Sequence, residues 1–207
     1  MVNIMQQKKM NLRKNKMEKG LSLIEASMVL ALSAIVVSGV MFYYQSASDS
    51  NKTQNTVSQV MSVMSAINGL YVGQASYTGL TDDVLLNSSA VPENYKDKPK
   101  KKINNPFGGQ LHVAQNTGTG GGYALLLEGV PKSSCVNIAS MNLGTSLQGV
   151  GVGVSNMTSA VSTVILNATP LTGTTVQKGN VYSGTLTPAN AATLCSDATN
   201  SITFLMK

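Results

Sequence analysis

One apolar run constrains this chain more than any other feature. Residues 21–44 read LSLIEASMVLALSAIVVSGVMFYY, and Glu25 is the only charged side chain among them. A helix rises 1.5 Å per residue, so this run reaches about 36 Å, enough to cross the hydrocarbon core of a bilayer. Lysines crowd its N-terminal side and none follows until Lys52. The positive-inside bias therefore puts residues 1–20 in the cytoplasm and the rest of the chain outside.

The distribution of charge narrows the function classes. The 207 residues carry a formal net charge of +6, with 43% hydrophobic, 12% charged and 5% aromatic residues. That composition excludes wholesale disorder and a multi-span membrane protein, and the length suits one domain or two small ones. Lys8, Lys9, Arg13, Lys14, Lys16 and Lys19 face only Glu18 in the first twenty residues, so the remaining chain is nearly neutral. Arg13 is the sole arginine. Bidentate phosphate and guanine contacts favour arginine, and a body without one speaks against nucleic acid as a partner.

An ordinary secretory signal has an apolar region of roughly 7–15 residues followed by a small-x-small cleavage site. Here the run is longer, and the candidate cleavage mark, Gly20, lies before it. The segment Lys19-Gly20-Leu21-Ser22-Leu23-Ile24-Glu25 resembles the processing site of type IV pilins. The long leader, and Leu21 in place of Phe, are similar to the type IVb branch. INGLYVGQ, ENYKDK, NPFGG and the Phe204-Leu205-Met206-Lys207 ending extend the resemblance over the whole chain, toward the pilins of bundle-forming pili.

This resemblance implies that a prepilin peptidase removes residues 1–20 after Gly20, that Leu21 becomes N-methylated, and that Glu25, fifth in the mature chain, acts in assembly. It implies an α+β type IV pilin fold, a long N-terminal α-helical spine packed on an antiparallel β-sheet head with a disulfide-tied C-terminal region. The expected function is that of a structural major subunit, polymerising through its N-terminal helix into surface filaments for adhesion and autoaggregation. The implied partners are other copies of the subunit, the inner-membrane assembly machinery, an outer-membrane secretin and a host-cell surface receptor. The subunit is expected as a single-pass inner-membrane protein with a periplasmic head before assembly, and in an extracellular pilus afterwards. No cofactor or metal is implied.

Glu25 needs a physical account, because a carboxylate within an apolar membrane helix costs about 2.5–3.5 kcal/mol on insertion scales. One account places it in the interfacial region, where the positive end of the helix dipole favours a carboxylate. The family reading pairs it, within the filament, with the terminal amine of a neighbouring subunit's Leu21, since a buried charge needs a partner. Ala26, Ala31, Ser33, Ala34, Ser38 and Gly39 scatter small residues along the same helix and permit close helix approach.

The sequence sets no stop to this helix at residue 44. No proline occurs before Pro92, and Val57, Val60, Met61, Met64, Ile67 and Tyr71 recur at spacings of three and four. Residues 45–74 therefore read as an amphipathic continuation ending near Gly69 and Gly73. Residues 75–105 read as a long loop between helix and sheet, with one short helix near 81–87 and a solvated lysine run at 96–102. Residues 106–207 form the sheet, with strands expected at 110–115, 123–128, 149–155, 161–166 and 202–206 and short helices at 131–142 and 188–195, each opened by a proline. Surface stretches within 140–190 are the candidates for contacts between filaments.

Cys135 and Cys195 are the only cysteines, and both fall in the exported part. An even count in an oxidising compartment predicts a disulfide bounding 135–195. His112, the only histidine, alternates with Leu111 and Val113 and reads as an outward strand residue. The glycine cluster at 118–122 lacks the Lys-Ser/Thr of a phosphate loop and reads as a turn. No nucleophile elbow is present, and no enzyme reading has a positive signal. Two alternatives share the leader: a minor pilin or type II secretion pseudopilin, and an uncleaved membrane-anchored protein whose N-terminus remains Met1.

Overall fold

A computed structural model describes residues 22–89, 91–118, 120–154, 171–172 and 175–207. Gly20, Leu21 and the strand expected at 161–166 lie outside the described residues. Among the described residues, four α-helices and seven strands follow one another as α1 (Leu23–Leu70), α2 (Asp82–Leu86), β1 (Lys96–Asp97), β2 (Lys102–Asn104), β3 (Gln110–Gln115), β4 (Tyr123–Pro131), α3 (Lys132–Ala139), β5 (Leu147–Val152), β6 (Val181–Ser183), α4 (Pro188–Leu194) and β7 (Thr199–Met206). The chain divides into two compact units, Met1–Tyr44 and Gln45–Lys207.

The second unit is built around one antiparallel sheet of order β1-β2-β3-β4-β7-β5-β6. β1 to β4 form a meander, and the chain then leaves a gap that its last strand fills. Tyr123 pairs with Met206, Leu125 with Phe204 and Leu127 with Ile202 on one side of β7, while Val150 pairs with Phe204 and Val152 with Ile202 on the other. The two strands at the centre of this order, β4 and β7, are each flanked on both sides, and residues 123–127 of β4 are fully buried. Ile202, Phe204, Leu205 and Met206 are all fully buried.

Alternation along the strands sorts these side chains onto two faces. Leu111, Val113, Tyr123, Leu125, Leu127, Ile202, Phe204 and Met206 join Val60, Val63 and Ile67 of α1 in the main core. Ala114, Ala124, Leu126, Val154, Val181 and Leu205 form a smaller cluster. Each fully buried Leu, Ile or Phe contributes about 1.5–3 kcal/mol relative to exposure. Two polar ties supplement this packing: Gln59 Nε2 donates to Asn104 O at 2.9 Å, and Ser133 Oγ donates to Asp49 Oδ2 at 2.7 Å. Past the end of α1, Tyr77 lies between Tyr71 and Tyr123, with ring centroids 5.3 and 4.8 Å away, and its hydroxyl donates to Lys207 O.

The NPFGG segment is explained by the β2–β3 turn. The buried Asn105 accepts from Phe107 N and Gly109 N through Oδ1, and donates through Nδ2 to Glu128 O at 2.6 Å and Gln110 O at 3.3 Å. Glu128 lies where the register of β4 against β7 shifts, between Leu127 and Val130, so the side-chain amide satisfies a carbonyl at that irregularity. A Cβ on Gly109 would collide with the same Glu128 carbonyl, and Gly108 has φ +87°. Two consecutive glycines are therefore required at this corner.

Several sequence expectations change in detail. The lysine run at 96–102 is not simply a solvated loop: it forms β1, a turn with Lys101 at φ 54°, and the start of β2. The Lys96 side chain is only 3% exposed and donates to Ser88 O and Glu93 Oε1. The Lys96 and Lys98 ammonium groups hold the exposed Glu93 carboxyl at about 2. Pro131 ends β4 and caps α3 instead of opening it, whereas Pro188 does open α4, beside a Thr187 side chain that accepts from Asn190 N. His112 is half-buried, not outward, because its ring lies between the carboxylates of Asp82 and Glu128.

Cys135 in α3 and Cys195, immediately after α4, form a disulfide with Cα atoms 5.9 Å apart, both fully buried. α3 follows β4 and α4 precedes β7, so the bond joins the two connections that flank the sheet's central pair. With a sequence separation of 60, the chain-entropy model gives about 4 kcal/mol at most. The double variant Cys135→Ser/Cys195→Ser is expected to lower unfolding free energy by up to about that amount, read from urea denaturation of the purified protein. Asn105→Ala removes four hydrogen bonds from a buried corner. It is expected to cost about 2–3 kcal/mol in the same measurement, with the disulfide intact.

Candidate assembly site

The first unit presents a surface that water does not favour. Between Leu23 and Tyr44 every large apolar side chain is bare, from Val29 at 58% exposed to Leu23 at 88%. The exposed residues cover all sides of the helix, and the 18-residue window of highest mean hydropathy, at 2.1, has no buried residue. Contiguous apolar surface of this size marks an interface with lipid or with protein. Phe42, Tyr43 and Tyr44 close the run at the end next to Gln45, the position in which aromatic residues meet a membrane–water boundary.

The polar groups of this unit are turned back onto its own backbone. Ser27 Oγ donates to Ile24 O at 2.8 Å and Ser33 Oγ to Val29 O at 2.7 Å. Such back-bonding lets a hydroxyl sit in an apolar environment without an orphaned donor. At the helix start, Ser22 O accepts from Ala26 N, and Ser22 N donates to Glu25 Oε2 at 3.0 Å. Ser22-x-x-Glu25 is a capping-box sequence, with the third helical residue reaching back to the backbone of the cap. The spacing is legible in the sequence, where the charge of Glu25 obscures it.

Glu25 is exposed, so its carboxylate lies at the positive end of α1 with one oxygen engaged by Ser22 N and open surroundings otherwise. The structure thus brings Glu25 and Ser22 together, while Gly20 and Leu21 fall outside the described residues. Cys135 and Cys195 sit in the second unit, where they brace the sheet. Among the described residues, no group of three His, Cys, Asp or Glu side chains converges to hold a metal ion. Of the glycine cluster, Gly120 and Gly121 are held by side-chain amides: Asn116 Nδ2 donates to Gly121 O, and Gln148 Nε2 donates to Gly120 O and Gly121 O.

Sequence reasoning missed two functionally shaped features of the head. Lys96 reads in the sequence as one lysine of a charged run, yet it is a buried cation that ties Ser88 O to Glu93. Asp82 and His112 are 30 residues apart, and no local spacing links them. The Asp82 carboxylate nevertheless bridges His112 Nδ1 at 2.6 Å and Val113 N at 2.7 Å.

Comparison with known proteins adds independent findings. The family profile described as Bundlin matches residues 45–203. Two curated relatives, each described as the major structural subunit of bundle-forming pilus, come from Escherichia coli O111:H- and from Escherichia coli O127:H6 (strain E2348/69 / EPEC). Each is 54% identical over 195 residues, covering 93% of this chain and 96% of the relative. A crystal structure of a type IV b pilin from Salmonella typhi aligns with 76% of this chain and 96% of its own, at 19% identity and a TM-score of 0.45. The family match over 45–203 and the identity that extends through the N-terminal helix establish that this chain belongs to the bundlin family.

Proposed function

We propose that this chain is the major structural subunit of a bundle-forming type IVb pilus, polymerising with further copies of itself into surface filaments for adhesion and autoaggregation. The observation that carries the reading is the 54% identity to two such subunits across 93% of the chain, apolar helix included. The bare surface of 23–44 supports it physically, because a helix apolar on all sides is stable only in lipid or among other apolar helices. The role is structural, not enzymatic.

The route follows from the same segment. The subunit first spans the inner membrane once, with residues 1–20 cytoplasmic and the head periplasmic. A prepilin peptidase then cuts after Gly20 and Leu21 is N-methylated. The assembly machinery moves the helix from lipid into the filament core, and the filament leaves through an outer-membrane secretin toward a host-cell receptor. Residues 21–44 are the membrane and core half of the helix, 45–74 its amphipathic half, 75–105 the connecting segment and 106–207 the sheet with its disulfide-bounded region.

Within the filament, Glu25 exchanges or supplements its bond to Ser22 N with the α-amine of another copy's Leu21. A subunit without that match would leave a carboxylate in an apolar bundle, so the pairing favours one axial register.

Mass spectrometry of the protein from sheared surface filaments is expected to give a chain beginning at N-methylated Leu21. An N-terminus at Met1 would overturn the processing scheme, and a scarce protein confined to the envelope would favour a pseudopilin. Glu25→Ala is expected to accumulate in the inner membrane at the wild-type level while electron microscopy finds few or no pili. Normal pilus numbers from that variant would remove Glu25 from assembly.

A further inference from the structure

We infer that His112 and Asp82 form a proton-linked latch, closed when His112 is an imidazolium, that holds α2 and the adjoining edge of the sheet in place. The inference begins with a gap in the ladder. β2 pairs with β3 only at Ile103↔Leu111 and Asn104↔Gln110, so the edge of β3 beyond Leu111 has no strand to receive its backbone donors. Asp82, the first residue of α2, fills this role: its Oδ1 accepts from Val113 N at 2.7 Å.

The other oxygen of that carboxylate, Oδ2, lies 2.6 Å from His112 Nδ1, and the two side chains are only 16% and 17% exposed. On the far side of the ring, His112 Nε2 lies 3.9 Å from Glu128 Oε2 of β4. The imidazole therefore sits between two carboxylates. In its neutral form Nδ1–H serves Asp82, and Nε2 turns a lone pair toward the Glu128 carboxylate. In its charged form both nitrogens are donors and both carboxylates are answered. The remaining charged group acting on the ring is Lys102 of β2, which opposes protonation. Beside the latch, Asp83 of α2 is engaged by Lys101 in the β1–β2 turn at 3.4 Å, so α2 is joined to that turn as well.

Burial alone would lower the pKa of His112. The Asp82 hydrogen bond and charge, with the charge of Glu128, outweigh burial and Lys102 and raise it above its ordinary value of 6.5. A folded value above the unfolded one means that the latch is fully charged and closed below about 6.5, and loosens to a single neutral Nδ1–H hydrogen bond as pH rises through the higher folded value. The device acts at one place. It governs how firmly α2 and the charged β1–β2 edge are seated, and leaves the β4–β7 centre of the sheet untouched.

His112 is the only histidine, so its imidazole resonance can be followed without ambiguity in the full mature protein in detergent micelles. The resonance is expected to titrate with a midpoint above 6.5, and Glu128→Gln is expected to move that midpoint down. Amide exchange, corrected for its intrinsic pH dependence, is expected to quicken severalfold at Val113 and in α2 over the same pH range in the wild type. It should follow the shifted midpoint in Glu128→Gln and remain flat in His112→Gln. Should His112→Gln fail to fold, the paired shift of midpoint and exchange in Glu128→Gln carries the test. A midpoint at or below 6.5, a midpoint indifferent to Glu128→Gln, or exchange at Val113 that ignores the titration would each overturn the latch.

Discussion

The bare apolar surface of residues 23–44 must be covered, and this requirement shapes what the rest of the molecule can be. The helix that carries it is self-contained in its polar groups. Ser27 and Ser33 bond to their own carbonyls, and Glu25 accepts from Ser22 N at the one terminus where a carboxylate is favoured. Lipid tails and neighbouring helices are then almost equivalent surroundings. Leaving one for the other changes van der Waals packing far more than it changes the hydration of any polar group. The route proposed above, from a bilayer into a bundle, would then require no refolding of this helix. Under the proposed function, the same equivalence leaves Glu25 as the group whose pairing would distinguish one neighbour from another.

A helix committed to outside partners supplies the head with only the stripe of α1 beyond residue 44, and the head completes itself by a different device. Its last strand, β7, is inserted between β4 and β5, so the centre of the sheet is closed only by the final residues of the chain. Pairings of this kind join residues roughly 80 positions apart, such as Tyr123 and Met206. They incur loop-closure entropy before any contact repays it. The Cys135–Cys195 bond shortens that search, because it joins the connection leaving β4 to the connection entering β7. The bond and the strand order are two parts of one solution.

Legibility in the sequence followed the length of each pattern. α1 is readable because unbroken apolarity passes into a three-and-four spacing with no proline before Pro92, and β3 is readable because Gln110, Leu111, His112 and Val113 alternate polar and apolar before Ala114 breaks the pattern. Strands β1, β2 and β6 have two or three residues each, too few for any period to register. Two of them lie in or against a lysine run whose local meaning is solvation, and Lys96 shows how a tertiary contact overrides that meaning by burying one lysine on Ser88 O and Glu93. Glu25 and the cysteine pair were visible as residues that needed partners. Ser22 was hidden behind the charge of Glu25, and the Asp82–His112 pair was hidden by distance along the chain.

Charge placement links the head to the filament reading. Of the seventeen charged side chains in residues 21–207, nine fall between Asp82 and Lys102. They are interleaved by sign, with Glu93 meeting Lys96 and Lys98, Asp97 meeting Lys100, and Asp83 meeting Lys101. Exposed pairs of this sort add little stability singly. Their effect is electrostatic neutrality at short range: at salt concentrations that screen beyond roughly 8–10 Å, the patch presents almost no net field. The sheet beyond it is rich in Ser, Thr, Asn and Gly, with only Glu128, Lys132, Lys178, Asp197 and Lys207 charged after Lys102. Heads of this composition repel one another weakly, so filaments displaying them can approach side by side until short-range contacts decide the outcome.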